Sequence, residues 1–333
     1  MTTLASRVRA GATSFLASGG MILLLVIATA AVTSAIQPRF FNQLNIVNIL
    51  RNAAILSVAS MGQMLVMVAG GFDLSVGVVV AFASVETALL SGALSGWLPD
   101  APLLALGLAI AIATASGGLI GLVNGVFVGL FRLSPFMVTL AMSSVVAGVT
   151  FYVTKGIPIY GLPDAFMDGI GRGIVAHCPV VVLIGLAIVL LVVLMQRTTT
   201  IGRHIYAIGS NIQAARVSGL RVVPLLIGVY ALSGAAAAVT GILLTARIGS
   251  GQSTLGGTMA LESIAAAVVG GVSLLGGTGR AERVMLGALF LSVVANALNL
   301  LRIDSKFQTL VLGVVLIAAV CIEVLFGMRG RHD

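Results

Sequence analysis

The chain has 333 residues, of which 59% are hydrophobic and only 8% charged, with a formal net charge of +8 and a mean hydropathy of +1.16. No water-soluble fold buries that much apolar surface while leaving so few charges to coat its exterior, so the composition implies a polytopic membrane protein. The excess charge is almost all Arg, spread singly or in small groups between apolar segments; with no basic run it reads as loop charge, and nucleic acid is excluded as a partner.

In chain order, Arg7 and Arg9 followed by the apolar run Met21 to Val32 imitate a signal peptide. The run nevertheless extends from about Gly19 to Ile36, enough to span a bilayer, and is read as the first helix. Further helix-spanning runs follow at about 52–70, 76–95, 102–131, 134–154, 174–195, 223–246, 259–275, 284–301 and 308–327. The expectation is an all-α membrane protein of about ten transmembrane helices forming one transmembrane domain, with a broken or re-entrant element admitted within 52–95. With the N-terminus inside, eleven of the 18 basic residues fall on the cytoplasmic side (7, 9, 132, 197, 203, 216, 221, 280, 283, 329, 331) and seven outside (39, 51, 155, 172, 247, 302, 306). Both termini are then cytoplasmic. The outer stretch from Lys155 to Arg172 is rich in Gly, Pro and Asp and predicts a small structured cap.

The longest polar stretch between spans, about 196–222, falls inside. Within it Asn211 or Ser210 can cap a short helix, IQAARVS, that Gly219 ends. That amphipathic helix suits either the lipid surface or a partner's groove, with Ala214, Ala215 and Arg216 on its small face. Glycine clusters at GGLIGLVNG, GAAAAVTG and VVGGVSLLGGTG read as close-packing positions. A faint echo between GGFDLSVG (70–77) and GGVSLLGG (270–277) hints at an internal repeat.

Few polar groups interrupt the oil. Asp73 and Ser75, at the join of the second and third runs, suit a helix cap near the cytoplasmic face or the lining of a pathway. Glu86 and Glu262 fall within apolar runs, Glu323 is placed to snorkel toward Arg329 or Arg331, and Asn124, Asn296 and Asn299 put amides on apolar helices. Amides and hydroxyls suit a neutral hydroxylated solute. Cys178 and Cys321 are expected toward opposite faces and unpaired, and the three histidines have no ligand spacing. No phosphate-binding GxxxxGK[ST] loop and no nucleophile–base constellation occurs, so neither ATP hydrolysis nor covalent chemistry is expected of this polypeptide. Any energy-coupling or solute-capturing module must be a separate chain.

Several blocks together carry a resemblance: GGFDLSVG, GLVNG with SPFMVTLAMSSVVAG, TIGRHIYAIGSNIQAARVSGL, and YALSGAAAAVTGILLTARIGSGQSTLGGTMALESIAAAVVGGVSLLGGTG. From about Phe40 onward the chain is similar to the permease subunits of sugar ABC importers of the ribose and xylose branch. It departs from them at Phe72, where a branched aliphatic is common, and at Ala281, Glu282 and Arg283, where small and apolar residues are usual. The resemblance implies a bacterial inner-membrane subunit importing a monosaccharide, paired with a second permease copy or paralogue. It also implies a cytoplasmic ABC ATPase that binds the ATP, so no cofactor is held here, and a periplasmic sugar-binding protein. The loop from Gly202 to Gly219 would then be the ATPase-coupling element, with Arg203 and Arg216 as first contacts beside Gly202, Asn211, Ala214 and Ala215. Asp73, Ser75, Asn124, Glu262 and Asn296 are the candidates for the pathway or its gate. The alternatives are a proton-coupled secondary transporter using Glu86 or Glu262, and the same machinery carrying a nucleoside or a furanose signalling molecule.

Overall fold

The computed structural model describes residues 19–329. Twelve helices of more than one turn are named here: α1 Met21–Ile36, α2 Gln43–Val68, α3 Val76–Trp97, α4 Pro102–Gly129, α5 Pro135–Thr154, α6 Val180–Thr198, α7 Thr200–Ser210, α8 Ile212–Val217, α9 Val222–Ile248, α10 Met259–Val269, α11 Ala281–Leu300 and α12 Ser305–Arg329. Seven of them, α2 to α6, α9 and α11, are long and apolar enough to cross a membrane, and α1, α10 and a stretch of α12 are shorter apolar helices. Together these account for the ten runs of the sequence. Their ends follow local chemistry: Asn42 caps α2 by accepting from the Leu44 amide, and proline opens α4 and α5 where its missing N–H costs nothing.

The centre of the bundle is the pair α4 and α9, the most extensive helix contact in the protein. Gly117, Gly121, Gly125 and Gly129 recur every fourth residue along α4, one stripe down a single face. A Cβ at Gly121 would lie 2.1 Å from the Tyr230 carbonyl oxygen and one at Gly125 2.6 Å from the Ile227 Cα. Gly234 answers from α9, where a Cβ would lie 2.1 Å from the Gly117 oxygen. Backbones that close are the way packing attracts helices when lipid removes the hydrophobic drive.

Two interruptions shape the interior. α2 ends with Gly70 in the left-handed region (φ 85°), and the amides of Gly70 and Gly71 turn back to the Met67 and Val66 carbonyls. α10 ends alike, with Gly271 at φ 78° and the amides of Gly271 and Val272 on the Val268 and Ala267 carbonyls. Both are Schellman closures. The echo seen in the sequence is thus a repeated helix ending, shifted by one residue from the glycine-on-glycine alignment. The second of these closures shortens the expected 259–275 helix to Met259–Val269, which rises only about 16 Å and cannot cross a bilayer alone. The preceding 249–258 segment makes up the difference. It descends along α3, with Gly251 against Ser84 and Ala88 and Gly256 against Gly77 and Val80. This segment of turns and the short helix together occupy the place of one of the ten apolar runs.

At one end of the bundle lie α7, α8 and the turn after α2. At the other, a helical turn at Asp164–Phe166 runs into a π-turn at Met167–Gly171 and a two-residue hairpin, Ile174–Val175 with Cys178–Pro179. Phe166 is fully buried there, and Ile159 bridges Gly251 by two backbone hydrogen bonds. This is the structured cap expected from Lys155 to Arg172. Cys178 and Cys321 are free. The Arg7, Arg9, Arg331 and His332 assignments lie outside the described residues, as does the side chain of Glu323.

Candidate functional site

The sequence expects Asp73 near a helix end at the membrane face. The structure moves it inward. Beyond Gly70 the chain folds back into the bundle without regular structure over 71–73, turns at 74–75, and α3 begins there. Asp73 accepts a hydrogen bond from Ser233, on α9, and Gly62 packs on Ser233, a Cβ at Gly62 falling 2.8 Å from its Cα. α2 continues six residues past Gly62 to Val68, so Asp73 lies about 9 Å inside that helix end.

Asp73 is fully buried and its carboxylate is matched by donors. One oxygen accepts from the Ser75 amide at 3.0 Å and the Ser75 hydroxyl at 2.5 Å. The other accepts from the Ser233 hydroxyl at 2.8 Å. Asn124 on α4 donates its amide to Ser75 Oγ at 3.0 Å, and Tyr230 on α9 donates its hydroxyl to the Phe72 carbonyl at 3.3 Å. On α5, Thr139 Oγ1 accepts from the Leu74 amide and Ser143 donates to the Leu74 carbonyl. The sequence-predicted trio Asp73, Ser75 and Asn124 is therefore one cluster linking α3, α4 and α9. Sequence reasoning missed Ser233 and Tyr230, whose only signal was a hydroxyl within YALSGAAAAV.

It also missed Gln63. That amide is fully buried on α2, and neither of its polar atoms is hydrogen-bonded among the described residues. Ala59, four residues before it, packs in the cluster that holds Val76 and Val79, and Val66, three residues after it, borders Gly71. Gln63 shares their face and so looks toward the start of α3. The α10 start lies beside the same point, the Ala260 amide nitrogen being 3.7 Å from a Cβ built on Gly77. Two helix N-termini thus meet inside the bundle, approached from opposite ends.

Glu262 and Asn296 are not part of this cluster. Glu262 accepts from Thr258 at 2.6 Å and lines a cavity of about 410 Å³ with Asn52, Ser292 and Gln308 among apolar neighbours. Asn296 and Asn45 exchange amide hydrogen bonds in both directions, at 2.8 and 3.0 Å, tying α11 to α2 toward the cap end. Glu86 accepts from Ser116 at 2.9 Å, between α3 and α4.

At the opposite end the polar stretch holds two helices where the sequence predicted one. α8 matches that expectation: Asn211 accepts from the Gln213 and Ala214 amides, and Gly219 (φ 81°) closes it. α7, which was not expected, starts at a Thr199 cap on the Gly202 amide and buries Ile205 and Ile208. The coupling candidates divide by face. Arg203, Asn211, Ala214 and Gly219 are exposed and Arg216 partly so, whereas Gly202 and Ala215 are buried against the bundle and serve its packing. Arg216 borders a cavity of about 370 Å³ with Arg132, Gly70, Gly71 and Tyr230. The unusual Ala281–Arg283 stretch has a local reason: Glu282 pairs with Arg197 at the end of α6, and the Ala281 amide donates to the Gln196 side chain.

Residues 45–320 match the family described as "Branched-chain amino acid transport system / permease component". The chain is 37% identical over 306 residues to the ribose import permease protein of Bacillus subtilis (strain 168), covering 91% of this chain and 90% of that one. The ribose import permease protein of Escherichia coli (strain K12) is 38% identical over 309 residues, 91% of this chain and 92% of its own. The D-allose transport system permease protein of the same strain is 30% identical over 306 residues, 92% and 91% of the two chains. No solved structure matches. A match from residue 45 to residue 320, over a bundle of seven span-length helices, establishes that this chain belongs to that family of transport permeases.

Proposed function

We propose that this chain is the membrane-spanning subunit of an ATP-driven importer for a monosaccharide, a ribose-like pentose or a related sugar, in a bacterial inner membrane. The observation that carries this is likeness along nine-tenths of the chain to permeases named for ribose and allose. A separate ABC ATPase supplies the energy, a periplasmic binding protein delivers the sugar, and a second permease copy or paralogue completes the pair. The end bearing α7 and α8 faces the cytoplasm, together with both termini. This is supported by Arg132, Arg197, Arg203, Arg216 and Arg221 on or beside those helices. The exposed faces of α7 and α8, with Arg203 and Arg216, engage the ATPase. ATPase closure swings the bundle between its two openings. Asp73, Ser75 and Asn124 form the gate, a polar knot whose hydroxyls and amide can exchange their mutual bonds for those of a passing sugar. The cavity at Glu262, Asn52 and Ser292 supplies similar chemistry nearer the outer face.

Co-reconstitution with the ATPase and the binding protein tests the assignment: ATP-dependent uptake of labelled ribose or allose is expected. Reversing both Arg203 and Arg216 to Glu should abolish ATPase co-purification. Uptake driven by a proton gradient in vesicles without the ATPase would instead make the chain a secondary transporter.

A further inference from the structure

The inward face of α7 touches both interior breaks through bare backbone. A Cβ on Gly209 would lie 1.7 Å from the Val68 carbonyl oxygen and 2.6 Å from the Gly277 amide nitrogen. The same Val68 oxygen accepts from the Gly277 amide at 2.8 Å. A Cβ on Gly276 would lie 2.9 Å from both the Gly209 oxygen and the Gly70 Cα, and one on Gly277 2.5 Å from the Ser210 hydroxyl. Three residues before Gly209, Tyr206 donates its hydroxyl to the Gly279 carbonyl. Three segments remote in sequence thus converge, with backbone directly on backbone at Gly209: the last turn of α7, the closing turn of α2, and the loop from α10 to α11. A side chain between helices can absorb a shift of an ångström by changing rotamer. Backbone in direct contact cannot, so a shift is either transmitted or breaks the contact.

We propose that Gly209 and Tyr206 are positioning residues that latch α7 to both breaks. Displacement of α7 and α8 is thereby delivered to the 71–75 segment, and so to Asp73, and to the end of α10 at the same time. The latch rests on the assignment of α7 and α8 to the ATPase contact. Its contacts lie on the flank of α7, where Tyr206 and Gly209 are half-buried, whereas Arg203 and Ala207 on the outer face are exposed. Docking and transmission are therefore separable by substitution.

The test compares Gly209→Ala and Tyr206→Phe with wild type in liposomes holding the permease, its ATPase and the binding protein. Sugar imported per ATP hydrolysed is measured alongside ATPase co-purification and, in the permease alone, amide exchange over residues 276–279. Both variants are expected to keep the ATPase and to hydrolyse ATP. Import per ATP should fall about fivefold in Tyr206→Phe, the worth of one hydrogen bond, and roughly tenfold or more in Gly209→Ala, where a methyl group must displace backbone. Exchange of the Gly277 amide should quicken in Gly209→Ala. Tyr206→Phe keeps the ring, so it stays informative if Gly209→Ala misfolds. Unchanged import per ATP in Tyr206→Phe, or its loss of the ATPase, would overturn the latch. If the wild-type complex imports no sugar, the functional assignment fails by itself. The exchange measurement then decides the latch, and an unaltered Gly277 amide in Gly209→Ala refutes it.

Discussion

Replacing Asp73 probes the centre of the bundle most directly. In Asp73→Ala three donors lose their acceptor: the Ser75 amide, the Ser75 hydroxyl and the Ser233 hydroxyl. The hydroxyls can rotate to helix carbonyls, as Ser57 and Ser60 do on α2. The Ser75 amide has no such freedom. A buried orphaned donor costs about 1–3 kcal/mol, whereas side-chain bonds lost between membrane helices average nearer 0.6 kcal/mol each. The sum for Asp73→Ala is about 3 kcal/mol. Asp73→Asn behaves differently, because its remaining oxygen keeps both Ser75 bonds and the Ser233 hydroxyl can reverse to accept from the new NH₂ group, leaving a cost of about 1 kcal/mol. Equilibrium unfolding in mixed micelles measures both. An alanine variant within about 0.5 kcal/mol of wild type, or an asparagine variant as costly as alanine, would refute the accounting. Uptake then separates the two roles of the carboxylate. Normal transport by Asp73→Asn assigns it to holding the α3 start, while lost uptake with the ATPase still bound assigns it to the pathway.

Three further outcomes follow from the packing. Gly121→Leu, with its Cβ 2.1 Å from the Tyr230 oxygen, should lower stability by about 3 kcal/mol or prevent accumulation. Gly148→Ala, with nothing within 4 Å of its Cβ, should be neutral or slightly stabilising; thermal unfolding in detergent compares them. For the Asn45 and Asn296 pair, either single Leu substitution should cost about 1–2 kcal/mol and the double substitution less than the sum, because the double leaves no amide unpaired. At α7, burial and then the Glu282 carboxylate push the Tyr206 phenol above its ordinary range. Its contribution is therefore fully present below about pH 10 and is lost as pH rises through the elevated value. The phenolate difference spectrum of wild type minus Tyr206→Phe should titrate later than free tyrosine, and titration at the ordinary value would refute the assignment.

Ten apolar runs, the α8 cap at Asn211 and its Gly219 ending were legible because each is written in local chemistry: run length, a side-chain acceptor, a residue free to adopt positive φ. α7 was hidden by its composition. Its apolar face is only Ile201, Ile205 and Ile208 amid Gly, Arg and His, a period that a polar average conceals. The α10 ending at Gly270 was obscured for the reverse reason, since the apolar VVGGVSLL run continues past the last helical residue. Asp73 shows the deeper limit. Its place near a helix end was readable from Gly70 and Gly71, but its depth depends on Ser233, 160 residues away, and no local pattern announces that pairing. Gly202 and Ala215 likewise stood in the right element, but only the packing of α7 and α8 tells which face each occupies.

The two breaks differ in a way that bears on how the bundle could move. After α2, Asp73 turns its carboxylate onto its own Ser75 amide and is then anchored to α9 through Ser233. After α10, Ser273 makes the corresponding turn onto the Leu275 amide at 3.2 Å with a neutral hydroxyl, and its amide donates to the Thr278 carbonyl within the same loop. Asp73 reaches another helix through Ser233, whereas the hydrogen bonds of Ser273 stay within its own loop. The α2 break is thus clamped to the bundle core, and the α10 break to the end of α2 through the Gly277 bond to Val68 and to α7 through the Tyr206 bond to Gly279. A displacement starting at α7 therefore reaches the 270–279 loop through the Tyr206 bond to Gly279, and the α2 end, and so Asp73, through the Gly209 backbone against Val68. Both breaks then move with α7, the α2 break carrying α9 with it through the Asp73 bond to Ser233.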